Sequence, residues 1–512
     1  MPKKYTYAKR TAWKLMHVQV RYVIPLLLLL FGNVLQPKAQ AASFWTEQKR
    51  IPDIPDFTQE PPFLIVDQNN TVHAFNSQPL VEGDEVSPET IFYRQWSEEG
   101  GWTNPIDIFY PEGGASIQIL GATSDSTGVV SLIYQQNFGV YFSSTFLANA
   151  GNSTKWSPPI LLAGKSTGVS TGFEGIGAIG SDGNGNILVI YSGSEFGKGL
   201  YSVNSSDSGN SWTDPYPVYL TGDESMVVTD PALFVGASGK IHAVWTTYES
   251  TGAAGPGYYG QFDPQAKTWT EPMPLDVPGI RTPSVIEYGE NVIVGYYHAN
   301  VNGNWWRLSN DGGSTWSVPS QISSIHLGTN GRVSFVVDSN NTLYGLFGER
   351  INDLNHGVWQ VTWTGYAWTE AEPVVKGPQI VDLTGGGRGF DPRAARAVVS
   401  NGNLILVTWT TDGFAGENGA WFSYRRVNAP ELPSVPNIVP GSDIQILPTA
   451  TASESVLLLP TKTPIPANIL DDRQPPQFLL NPQTSILAGV FLALAVVLGI
   501  LIIRYLSQLR DR

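Results

Sequence analysis

Glu60, Ser116, Glu174, Asp230, Arg281, Arg332 and Arg393 recur at intervals of roughly fifty residues, each at or near the start of a short apolar stretch. Arg388 and Asp391 flank the last of them. If the chain brings these positions to one opening, the chemistry follows from residue type. Guanidinium forks bind carboxylates through two parallel hydrogen bonds, so Arg281, Arg332, Arg393 and Arg388 are candidate ligand-binding residues for a carboxylate or sugar acid. Two carboxylates flanking a glycosidic bond can hydrolyse it, so Glu174 and Asp230 are the candidate catalytic acids. The same charges could instead pair with each other around a polar channel and do no chemistry.

Other chemistries find little purchase. The chain has no cysteine and six scattered histidines without ligand spacing, so no metal site is expected. The stretch "DGNGN" at Asp182–Asn186 is half a calcium loop, lacking the following glycine and distal glutamate. No phosphate loop or Gly-x-Ser-x-Gly elbow occurs, and no cofactor is implied. The formal net charge is −14, and beyond the first 41 residues 23 basic face 44 acidic side chains, a net of −21. Such a surface repels nucleic acid and anionic lipid.

The elements that must position these residues form a repeat. A tryptophan followed by a polar stretch, usually with proline, recurs as "WTEQKRIP" at Trp45, "WTNPIDI" at Trp102, "WSPPILL" at Trp156, "WTDPYPV" at Trp212, "WTEPMPL" at Trp269, "WSVPSQI" at Trp316 and "WTEAEPVV" at Trp368. Within each period an apolar segment, a turn such as "SDGNGN" or "DSNN", and a second apolar segment form a hairpin. A loop, a third strand and the tryptophan segment complete four strands. Radial four-stranded blades make an all-β propeller. Seven blades are expected over residues 43–427, with six as the alternative if the first period is irregular. The last period lacks its tryptophan segment and the first tryptophan segment lacks its strands. The N-terminal strand should therefore close the ring, removing open sheet edges.

The stretch "SNDGGSTW" (Ser309–Trp316) resembles the Asp-box, or BNR repeat, of the sialidase superfamily, and "SSDSGNSW" (Ser205–Trp212) is similar. "SEEGGW" (Ser97–Trp102) and "GNSTKW" (Gly151–Trp156) are weaker copies. The resemblance implies that Ser205, Asp207, Gly209, Trp212, Ser309, Asp311, Gly313 and Trp316 are structural. They would staple the hairpin between third and fourth strands, on the face opposite the ligand site. It also implies an arginine triad for a substrate carboxylate, a Tyr–Glu nucleophile pair and an acid/base Asp. The sequence departs from that pattern. Glu60 stands where the family's Phe/Tyr-Arg-Ile-Pro arginine aligns, and "RIP" occurs earlier, at Arg50–Pro52.

Both ends point to a membrane. Residues 1–41 carry a basic stretch, the apolar run Val23–Phe31 and a small-residue "KAQAAS", read as a signal peptide or an N-terminal anchor. Residues 428–484 are rich in Pro, Ser and Thr and read as a stalk. Ile486–Ile503 is uncharged and long enough to span a bilayer. The arginines in 504–512 make that tail cytoplasmic and the propeller extracellular. Three functions are open: recognition of a glycan or other acidic ligand at the central mouth without hydrolysis, an exo-acting glycoside hydrolase of sialidase type, and a surface scaffold for a protein partner.

Overall fold

The inner segments of the repeat are almost unbroken runs of β-branched and aromatic residues, such as "ILVIY" and "LILVTW", which suit strands covered on both faces. A computed structural model describes residues 44–435, apart from 57–59, 82–86, 111, 138, 164–175, 250–251, 327–329, 350–355, 378–391 and 412–418. The expected signal segment, most of the stalk and the apolar run Ile486–Ile503 lie outside these residues. Among the described residues no helix is long and apolar enough to cross a membrane.

Seven antiparallel sheets are present, five of four strands and two in which a short extra strand splits the outer edge. Their first, innermost strands are Phe63–Val66, Gln118–Ser124, Gly177–Ser181, Met226–Val235, Ile280–Tyr288, Asn330–Val337 and Pro392–Ser400. Each innermost strand contacts the next, and the last contacts the first. The molecule is thus a closed seven-bladed propeller. The second strands are the most buried: Leu343–Glu349 and Leu404–Thr411 have no exposed position. The core is a string of clusters between neighbouring blades, so each blade interface is a small hydrophobic core of its own.

The ring closes at the N-terminus. Lys49–Arg50 pairs with Gly419–Arg426 as the fourth strand of blade 7, and Ile51 and Ile54 are buried behind it. Arg94, on the third strand of blade 1, seats this segment. It is 1% exposed and donates to the carbonyl of Pro52 and to Gln78 Oε1. At the other end of the domain, residues beyond Val427 stay attached. Leu432 donates its N–H to Asn401 and Val435 to the Gln68 carbonyl, while the Pro430 carbonyl accepts from Ser339. These partners sit in or beside first-to-second strand turns of blades 6, 7 and 1, so the start of the expected stalk straps the closure on that face.

Candidate functional site

Strand direction gives the propeller two unlike faces. First strands begin at one face; first-to-second turns and third-to-fourth hairpins lie at the other. The hairpin of Ser205–Trp212 touches its own blade's first turn, with Ser208 N–H on the Gly185 carbonyl.

In the two Asp-box hairpins the Asp carboxylates are satisfied locally. Ser309 Oγ donates to Asp311 Oδ1 at 2.7 Å and accepts from Gly313 N–H at 2.7 Å. Thr315 gives its N–H to Asp311 Oδ1 (2.8 Å) and its hydroxyl to Oδ2 (2.6 Å). Ser205, Asp207, Gly209 and Ser211 repeat this arrangement. Hydrogen bonds from the Ser211 and Thr315 hydroxyls hold the Asp207 and Asp311 carboxyls down at about 2. Trp212 and Trp316 close the turns through Nε1 to the Gly209 and Gly313 carbonyls. Their rings stand edge-on against Phe142 and Tyr259 of the preceding blades, centroids 4.9 and 5.0 Å apart. A Cβ on Gly313 would meet the Tyr259 hydroxyl at 2.2 Å, and its φ of +97° is left-handed, so only glycine fits. The "DGNGN" turn is likewise self-contained: Asp182 accepts from the N–H groups of Asn184 and Asn186 and from the Asn186 amide. Among the described residues no group of three or more His, Asp or Glu could hold a metal.

The opposite face holds a cavity of about 640 Å³ on the propeller axis, walled by residues from the first strands of all seven blades. Its charged members are Glu60, Glu89, Asp230, Arg332 and Arg396. Glu60, Asp230 and Arg332 are three of the residues the repeat singled out. Arg281 is one residue away from the wall. Thr282 lines the cavity, while the Arg281 guanidinium lies 5.2 Å over the Tyr248 ring. Arg281 has no hydrogen bond or ion pair among the described residues, and its Nε is buried without a partner. Ser116 Oγ accepts the Glu89 N–H instead of facing the cavity. Glu174, Arg388 and Asp391 lie outside the described residues, as does the side chain of Arg393. Arg50 is half-exposed, ion-paired with Asp56 and placed over Trp421 rather than in the cavity wall.

Arg396 is the residue the register missed. It donates to the Pro61 carbonyl and, at 3.2 Å, to Glu60 Oε2, with its guanidinium 3.6 Å from the Phe63 ring centroid. Burial pulls Arg396 down to about 10, against the field of Glu60 and together with that of Arg332, so Arg396 is charged at neutral pH. Burial lowers Arg332 as well, opposed by Asp230 and Glu60. About a quarter of the Arg396 side chain stays water-accessible, and the residue lines the cavity. Tyr248 is pushed up to about 12, by burial first and by Asp230 second.

The miss has a geometric cause. In blades 4 to 7 the first strand carries a bulge just where it meets the cavity, between Thr229 and Ala232, Arg281 and Ser284, Asn330 and Ser334, and Arg393 and Arg396. Two residues, or three in blade 6, oppose a single buried aromatic: Trp245, Tyr296, Phe347 or Trp409. The first bulged residue is left-handed in every case: Asp230 (φ +51°), Thr282 (+44°), Gly331 (+87°) and Ala394 (+47°). A bulge shifts which side chains face inward, and strict alternation from Arg393 could not foresee Arg396. The prolines at 231 and 283 were the available signal, since proline inside a strand marks a bulge or an edge.

These bulges touch one another around the axis. Thr282 N–H reaches Asp230 Oδ2 at 3.3 Å, and Thr282 Oγ1 donates to the Gly331 carbonyl at 3.0 Å. A Cβ on Gly331 would sit 2.4 Å from Ala394 Cα. Non-glycine residues held left-handed cost of order 1–3 kcal/mol each, and such strain gathers at functional sites.

No family model matches the chain, and no curated protein matches it. Solved structures do. A protein of unknown function from Dyadobacter fermentans aligns with 76% of this chain and all of its own, at 17% identity and a TM-score of 0.47. Hadza microbial sialidase Hz136 aligns with 72% of this chain at 11% identity and a TM-score of 0.42. Trypanosoma rangeli sialidase in complex with the inhibitor DANA aligns with 75% at 11% identity and a TM-score of 0.40. This chain spans 66% and 60% of those two sialidases' lengths.

Proposed function

We propose that the propeller takes a sugar acid or comparable carboxylate-bearing ligand into its axial cavity and recognises it without hydrolysing it. One observation carries the reading: a cavity of about 640 Å³ in which Arg332 and Arg396 lie within each other's field beside Asp230. That volume falls in the range of small-molecule sites. Arg281 adds a cation at the rim with no polar partner among the described residues to give up. The non-hydrolytic form is favoured by Tyr248, whose phenol is held protonated to about 12, and by Asp230, whose Oδ2 already accepts from Thr282. The negative charge, the apolar run Ile486–Ile503 and the Pro-rich 428–484 support display on a membrane surface. The last described residue, Val435, lies on the hairpin face, where its N–H donates to the Gln68 carbonyl.

The test is calorimetric titration of the full-length chain with N-acetylneuraminate and glucuronate, with galactose as the uncharged control. The acids should bind, more weakly as salt rises, and Arg281→Ala should weaken them about tenfold. Equal binding of galactose overturns the acid reading. Turnover of a fluorogenic sialoside overturns the non-hydrolytic half and restores the glycosidase.

A further inference from the structure

Thr282 is strained on two counts. It is β-branched with φ +44°, where such residues are outliers, and it precedes Pro283, a position that normally keeps the backbone extended. Nothing local requires this, because the turn chemistry that draws Asn or Gly into left-handed positions is absent from the middle of a strand. What the conformation achieves is visible in its contacts. The Thr282 N–H holds Asp230 Oδ2 of blade 4. The Thr282 hydroxyl holds the Gly331 carbonyl, which belongs to the peptide leading into Arg332 of blade 6. The next carbonyl, that of Pro283, accepts from Arg332 Nη1 at 3.1 Å. The dipeptide Thr282–Pro283 therefore grips Arg332 at its backbone and at its guanidinium, and on its other side grips Asp230.

We infer that Thr282 is a positioning residue: its strained bulge is retained because it sets the Asp230 carboxylate and the Arg332 guanidinium in one fixed relation across the cavity. The inference rests on reading that cavity as a ligand site. It predicts that Thr282 acts through its hydroxyl on Arg332, and not merely as a filler of space.

The experiment compares Thr282→Val, which keeps the shape and loses the hydroxyl, with Thr282→Ser, which keeps the hydroxyl, both in the full-length chain. One readout needs no ligand: the rate at which phenylglyoxal modifies Arg332, followed by peptide mass spectrometry. The second is the dissociation constant for N-acetylneuraminate. In Thr282→Val, Arg332 should be modified several-fold faster and the acid should bind about tenfold more weakly, the loss of one well-placed hydrogen bond. Thr282→Ser should return both values close to those of the parent. Unchanged Arg332 modification in the Val variant overturns the inference, and so does a Ser variant that behaves like Val. If the parent binds no sugar acid, the proposed function fails alone and the modification rates still decide the positioning role. Should Thr282→Val not fold, Thr282→Ala provides the same comparison against Ser.

Discussion

Asp311 and Asp230 are the same residue type in adjacent blades of one ring, and they are held in opposite ways. The hydrogen bonds to the Asp311 carboxylate come from within its own hairpin, from the Ser309 hydroxyl and the Thr315 hydroxyl and N–H. Asp230 takes its N–H from Thr282 in the next blade and shares the cavity with Arg332 of the blade after that. The Asp311 turn is therefore satisfied within its own hairpin, while the bulges of blades 4 to 7 form one connected belt. A fault in a hairpin should stay where it is made. A fault in the belt should travel.

The largest effect is expected at Gly331, where the belt is tightest. Gly331→Ala places a Cβ on the blade 7 backbone and forces a left-handed alanine. It should cost about 3 kcal/mol or more in chemical denaturation and disturb hydrogen exchange in blades 5 and 7 as well as 6. A protection change confined to blade 6 would break the distinction between belt and hairpin. Next comes Trp316→Ala, which removes the edge-on contact with Tyr259. A loss of about 2 kcal/mol is expected for this part-buried ring, with exchange altered only where blades 4 and 5 meet.

Asp311→Asn should be smaller and pH-dependent. The carboxyl falls from an ordinary 3.8 to about 2 in the fold, so its contribution is complete above about pH 4 and disappears as pH falls through about 2. Thermal melts of parent and variant should thus converge at the acid end; a gap that persists to pH 2 would show that the turn does not depend on the ionised form. The smallest effect tests where the contrast blurs. His242 lies toward the hairpin face but reaches across blades, with Nε2 3.0 Å from Glu287 Oε2 and Nδ1 2.8 Å from the Tyr259 hydroxyl. Burial lowers its pKa from 6.5, with Glu287 opposing. The unfolded chain then takes up a proton that the folded ring resists, so stability should decline as pH drops below 6.5. His242→Gln should flatten that slope; a slope that stays unchanged assigns it to other groups.

Much of the fold was legible because each cue is local. Trp45 without its strands and a last period without its tryptophan implied the closing strand found at Lys49–Arg50. The alternation of turns and apolar runs gave the blades, since a hairpin's register is written in neighbouring residues. The axial site was legible only in part. Glu60, Asp230 and Arg332 line the cavity as the period placed them, while Arg281 lies over Tyr248 and Arg396 lines the cavity without having been singled out. Four bulges cause this, each paired against an aromatic from the neighbouring strand of its own blade.

By itself, then, the sequence determined an all-β ring of four-stranded repeats, because turn chemistry and strand patterning act over a few residues and need no distant partner. Only the tertiary structure decided which side chains face the axis. That choice depends on where Gly331 meets Ala394 and where Thr282 meets Asp230 and Gly331, contacts between residues some fifty or more positions apart that form only when neighbouring blades pack together.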